Sequence, residues 1–191
     1  MFEKTESFCN ASYDIIVTDS KTGKTKEKGA LMKYWDIFES ELVGTIQIIC
    51  DEEGILGLEF GSEAPKEGLK KSTNLIKKTV LQLNEYLIGE RTEFDLPLKP
   101  EGTAFQKKVW EALCTIPYGQ TRSYKEIAVQ IGNEKACRAV GMANNRNPIS
   151  IIIPCHRVIG ADKSLVGYGG GLNIKVKLLN LESSGVIWEN Y

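Results

Sequence analysis

The spacing of hydrophobic positions changes part-way along the chain. Between residues 34 and 60 the pattern is that of strands, with apolar runs at 42–50 and 55–60 separated by Asp51-Glu52-Glu53-Gly54. Two short apolar runs around an acidic, glycine-ended break predict a hairpin, and hence an antiparallel sheet. Ser72 then precedes Leu75, Ile76, Thr79, Val80, Leu83, Tyr86 and Leu87, whose spacing predicts a helix capped by Ser72 and ended at Gly89. Upstream, residues 13–18 form a short β-like run and residues 20–29 a polar, lysine-rich turn or linker.

Pro97, Pro100 and Gly102 make residues 91–102 the candidate interdomain connection, dividing the chain into 1–98 and 99–191. Beyond it the period is helical. Phe105, Val109, Ala112, Leu113 and Ile116 share one helix face that stops at Pro117. Ser123 and Glu126 form an S-x-x-E capping box opening a helix that ends at Gly132. Asn133 is placed to cap another, from Glu134 to about Asn144, with Ala136, Val140 and Ala143 facing inward. Two short helices around a glycine turn outline a helix-turn-helix, an outline shared by many αα-hairpins that never touch DNA. Pro148 closes this region, and the β-branched run 149–153 predicts a buried strand or extended segment leading into Pro154-Cys155-His156-Arg157. A glycine-rich stretch, 167–171, precedes a last helix over 173–182.

Composition bounds this picture. With 191 residues, 42% hydrophobic and 26% charged, the chain fits one ordinary or two small globular domains. No apolar run approaches the roughly 20 residues that cross a bilayer, and the acidic start shows no secretory pattern, so a cytoplasmic location without membrane association is expected. The net charge of -1 hides an asymmetry: 13 Lys and Arg against 18 Asp and Glu up to residue 100, then 11 against 7. A basic C-terminal half suits a polyanion, although charge alone equally fits an ordinary solvated surface.

The five cysteines, Cys9, Cys50, Cys114, Cys137 and Cys155, form no CxxC pair, and the only histidine is His156. A disulfide framework and a metal site are both unexpected. A nucleophilic sulfur needs a base or a positive field to become thiolate, and Cys155 alone has an imidazole and a guanidinium beside it. Side chains adjacent in sequence diverge, so contact between Cys155 and His156 requires a turn or a bridging water. Glu182 is the natural acid to orient the imidazole. The alternative is a buried inert thiol, the commonest fate of a free cysteine.

The string NPISIIIPCHRVIGADKSLVGYGGG resembles the active-site signature of the O6-alkylguanine-DNA alkyltransferases, or methylated-DNA-protein-cysteine methyltransferases. FDLPLKPEGTAFQKKVWEALCTIPYGQTRSYKEIA and IGNEKACRAVGMANNRNP are similar to the same family's helix-turn-helix region. The resemblance spans roughly residues 34–185, loosely before Phe94, and leaves the first 33 residues unexplained. It implies a mixed α/β (α+β) fold, with a small ribonuclease H-like N-terminal domain and a mostly helical, winged helix-turn-helix-like C-terminal one. It implies direct repair of double-stranded DNA by a monomer without cofactor. Cys155 takes the alkyl group from O6 of guanine, or less readily from O4 of thymine, once per molecule. His156 acts through water as base, Glu182 holds the imidazole, and Asn147 braces the active-site turn.

The resemblance also assigns DNA contacts. Arg138 fills the gap left by a flipped base, Tyr124 crowds the adjacent phosphate, and Ala136 and Arg146 are further DNA contacts, although Tyr124 and Ala136 also suit the core, the better-favoured place for Ala136. Tyr168, Gly169, Gly170 and Val158 line the base pocket, with Gly169 widening it towards larger alkyl groups. The competing readings are a lesion binder without chemistry, a helix-turn-helix regulator and a cysteine hydrolase. The presence of Cys155 opposes the first, and the adjacency of Cys155 and His156 the last.

Overall fold

The computed structural model describes residues 31–183, 185 and 187–189; the run at 13–18 and the stretch at 20–29 lie outside them. Strands β1 (Tyr34–Ser40), β2 (Gly44–Cys50) and β3 (Ile55–Phe60) form an antiparallel meander. A two-residue β4 (Leu69–Lys70) adds parallel to β1, giving the order β3-β2-β1-β4. Alternation sends Ile46 and Ile48 of β2 to the buried face, where α1 (Asn74–Leu87) covers them with Ile76, Leu83 and Tyr86. Thr73, rather than Ser72, caps α1: its hydroxyl accepts from Ile76 N at 3.2 Å, while Ser72 is exposed one residue too early.

Helix α2 (Ala104–Cys114) opens with a capping box, Thr103 and Gln106. Its buried Trp110 donates Nε1–H to Ala143 O at 2.9 Å, tying it to α4 (Cys137–Asn145). The predicted box at Ser123 and Glu126 opens α3 (Tyr124–Gln130), and Gly132, at φ 76°, ends that turn. The next helix differs from expectation. Asn133 makes no side-chain cap, and Glu134–Ala136 is a 3-10 turn, so α4 begins only at Cys137. Val140 and Ala143 are buried as expected, whereas Ala136 is half-buried in the 3-10 turn.

The run 149–153 is buried but is not a strand. Apart from a single bridge between Leu58 and Ile149 it turns, with Ile151 at φ 71°, a conformation that costs a β-branched residue of order 1–3 kcal/mol. The edge of β3 secures it: Leu58 N donates to Pro148 O and Ser150 N donates to Leu58 O. A 3-10 turn, Cys155–Arg157, follows, then β6 (Val158–Ile159), parallel to β5 (Arg122–Ser123). Helix α5 (Leu172–Glu182) closes the molecule, burying Lys175, Leu178, Leu179 and Glu182. These spacings of three, four and seven residues make one stripe, so a lysine and a glutamate share the core face of a helix.

Candidate active site

The strained turn and the 3-10 turn after it bring Cys155 into a buried site. Asn147 donates Nδ2–H to Cys155 Sγ at 3.1 Å and to Ile153 O at 2.8 Å, and its Oδ1 accepts from Ile149 N. One side chain therefore braces the turn and offers a donor to the sulfur. Asn144 donates to Cys155 O at 3.3 Å. Burial raises the Cys155 thiol to about 11, opposed by the Asn147 hydrogen bond and the nearby Lys175 charge. At pH 7 a group titrating there is ionised in about one molecule in ten thousand. The resting sulfur is a thiol, and its reactivity depends on a partner that removes the proton during reaction.

His156 is fully buried with Nε2 2.8 Å from Glu182 Oε1. Burial pushes the Glu182 carboxyl up, but hydrogen bonds and charge from His156 and Arg157 outweigh this and hold it at about 2. An ionised carboxylate only accepts, so the histidine proton sits on Nε2 and Nδ1 carries the lone pair. Nδ1 is buried and has no hydrogen-bond partner among the described residues. Burial lowers the His156 pKa below the usual 6.5, against the opposing pull of Glu182, so the imidazole is neutral and available as a base.

Glu182 gathers more than the histidine. Arg157 donates Nε–H to Oε2 at 2.9 Å and Nη2–H to Oε1 at 2.9 Å, and sends Nη1–H to Ile116 O. Tyr86, from α1, donates its hydroxyl to Oε1. Gly119 N donates to Oε2 at 3.2 Å. Gly119 has φ 73°, and a Cβ there would lie 2.8 Å from Glu182 O, so glycine is required twice over. Across the sulfur, Lys175 donates Nζ–H to Val158 O at 2.6 Å and to Val166 O at 3.1 Å, fastening β6 to the loop before the glycines. Burial lowers its pKa to about 8, with Cys155 pulling the other way.

Sequence reasoning singled out Arg157 only as a neighbour and missed Tyr86, Asn144 and Lys175 altogether. Lys175 was within reach, because its spacing to Leu178, Leu179 and Glu182 is that of a buried stripe. Tyr86 was not, since nothing local distinguishes it from the apolar residues around it.

Tyr168 is buried, its ring 6.5 Å from that of His156, and its hydroxyl has no hydrogen-bond partner among the described residues. Gly169 is exposed with open space where a Cβ would stand, Gly170 is half-buried, and Val158 is buried. On the outer side Arg138 and Arg146 are exposed, and Arg146 borders a shallow cavity of about 180 Å³ between the start of α2 and α4. Tyr124 lies half-buried beside Gly141 and donates its hydroxyl to Val166 O at 3.1 Å. Among the described residues no group of three or more His, Cys, Asp or Glu side chains could hold a metal, and Cys50, Cys137 and Cys155 form no disulfide.

A model of the 6-O-methylguanine DNA methyltransferase DNA binding domain matches residues 104–184, and one of the same family's ribonuclease-like domain matches residues 33–100. The chain belongs to the 6-O-methylguanine DNA methyltransferase family. Among its relatives, the methylated-DNA–protein-cysteine methyltransferase of Methanosarcina barkeri is 51% identical over 158 residues, covering 80% of this chain and 99% of the relative. The Mycobacterium tuberculosis protein of the same name is 65% identical over 103 residues, covering 54% and 62%. The crystal structure of Mycobacterium tuberculosis OGT in complex with DNA superposes with a TM-score of 0.74 at 47% identity, covering 79% of this chain and 93% of that one. The mixed α/β architecture, with an antiparallel sheet followed by a helical half, is that of these methyltransferases.

Proposed function

We propose that the chain repairs DNA by direct reversal, moving the alkyl group from O6 of guanine, and less readily from O4 of thymine, onto Cys155 in a single irreversible step. The observation that carries this reading is the buried His156–Glu182 pair beside Cys155 in the chain, in which a neutral imidazole keeps an Nδ1 lone pair with no hydrogen-bond partner among the described residues. As the S–C bond forms, the O6–C bond breaks and its electron pair passes to the base. The thiol proton moves through a water to His156 Nδ1, and the guanine takes up one proton in return. Glu182 keeps the ring oriented and balances the imidazolium, while Asn147 supports the sulfur as charge develops on it. Tyr168 offers its unpaired hydroxyl to O6 as the leaving base gains charge. Val158, Gly169 and Gly170 line the pocket, and Gly169 leaves room for alkyl groups larger than methyl.

The thioether has no route to hydrolysis here, so each molecule acts once. A buried sulfur cannot reach a stacked base, so the nucleotide must leave the helix at a cost of a few kcal/mol. Exposed Arg138 fills the gap, Tyr124 presses on the neighbouring phosphate, and Ala136 and Arg146 complete the contact with double-stranded DNA. We assign residues 99–191 to this work and 1–98 to a supporting domain. The working form is a monomer in the cytoplasm, and no described helix is long and apolar enough to cross a membrane. Titration of the chain with a duplex carrying one O6-methylguanine should restore one guanine per protein molecule and then stop. Continued turnover would point to a hydrolase, and tight lesion binding with no restoration to a sensor.

A further inference from the structure

The glycine-rich loop of the pocket rests on the N-terminal sheet. Phe60, the last residue of β3, has its ring centroid 5.7 Å from that of Tyr168 at an interplanar angle of 59°. The three heavy atoms nearest to a Cβ built on Gly170 all belong to the same ring, at 2.6, 2.7 and 3.0 Å. Gly170 does not have the left-handed backbone that favours glycine, so its lack of a side chain is explained by the ring alone. The same strand, through Leu58, also holds the backbone on either side of Ile149, ahead of Cys155. One edge of the N-terminal sheet thus touches both parts that must meet in the reaction, the turn bearing the sulfur and the loop bearing Tyr168.

We infer that Phe60 is a positioning residue for alkyl transfer, fixing Tyr168 and the Gly170 backbone over the base pocket. The inference rests on the reading of this pocket as the site that receives the alkylated base. The ring acts through two contacts: it tilts against Tyr168, and it occupies the space into which the loop backbone would sink. Without it the loop loses its floor and the Tyr168 hydroxyl its place. Displacements of about 1 Å in such groups cost up to about a hundredfold in rate. Because the contact joins β3 to the glycine-rich loop and involves no residue of α4, which carries the exposed Arg138, it governs reaction of the bound base and leaves DNA affinity alone.

The test is the rate of Cys155 alkylation by free O6-benzylguanine, a base that needs no flipping, read beside affinity for undamaged duplex. Wild-type protein must first alkylate on Cys155; failure there sinks the functional reading itself and is visible before any variant is made. Phe60→Ala should then react at least about tenfold more slowly, with duplex affinity unchanged, and Phe60→Leu should recover part of the rate. Gly170→Ala should also slow the reaction, because its methyl meets the ring. The decisive arm is the double variant, which should be no slower than Phe60→Ala alone, since removing the ring removes what the methyl strikes. Wild-type rates in Phe60→Ala, or losses in the two single variants that simply multiply in the double, would overturn the inference. If Phe60→Ala does not fold, Gly170→Ala decides: a slowed free-base reaction at unchanged duplex affinity supports it, and a wild-type rate overturns it.

Discussion

Glu182 shows how one side chain can set stability and, in the proposed function, chemistry as well. Its carboxylate accepts from His156, Arg157, Tyr86 and Gly119 while only 1% exposed. Glu182→Gln leaves the Arg157 guanidinium buried without its counter-charge, and breaking a buried pair in this way costs about 3–5 kcal/mol. Denaturant unfolding should show that loss, and an unchanged midpoint would mean the network is dispensable. The pH dependence follows from the same group. Its pKa is near 2 in the folded chain against 4.5 for an unshifted glutamate, so the unfolded state binds the proton more tightly. The stabilisation is therefore complete above pH 4.5 and is lost as pH falls towards 2. Glu182→Gln should flatten that acid limb. His156 behaves differently: its pKa is depressed below 6.5 by burial, so it remains an unprotonated base in mild acid. The rate of alkyl transfer should hold as pH drops through 6.5, and a profile halving there would contradict a buried neutral imidazole.

Among the elements, the proposed function divides DNA handling, on α4, from chemistry, on the turn after it. Arg138 is exposed on α4, whereas Cys155 is buried in the turn that follows. Arg138→Ala should slow repair of duplex DNA at least about tenfold while leaving reaction with a free alkylated base unchanged, because flipping carries a cost that the free base avoids. Equal losses on both substrates would assign the arginine to folding. How far such elements could be read in advance depended on where the deciding interaction lay. The hairpin and the Ser123–Glu126 capping box are local, and the sequence carries them in full. The run 149–153 has the composition of a strand, yet its conformation is set by Asn147 and the edge of β3, which hold Ile151 at positive φ. Asn133 fails as a cap because the chain tightens into a 3-10 turn there. Cys155, His156 and Glu182 could be picked out by residue type, whereas Tyr86, 96 residues from its carboxylate partner, depends on the packing of α1 against α5's end.

For the molecule as a whole, the two halves share one core. Ile46, Ile48 and Ile55 of the sheet belong to the same buried cluster as Val109, Val140, Ile151 and Leu178. Tyr86 of the first half also donates its hydroxyl to Glu182 of the second. Such continuity predicts one cooperative unfolding transition, coincident by tryptophan fluorescence and far-ultraviolet dichroism. Two separated transitions would show the halves to be independent. A second consequence concerns the basic C-terminal half, whose affinity for duplex should fall steeply with added salt, as releasing counterions from the phosphates gains less entropy. The central claim, that Cys155 is consumed by the lesion it repairs, is tested most directly by intact mass. After incubation with a duplex carrying one O6-methylguanine, wild-type protein should gain one methylene, mapped to Cys155, and Cys155→Ser should gain none. An unchanged wild-type mass, or the same gain in Cys155→Ser, would contradict it.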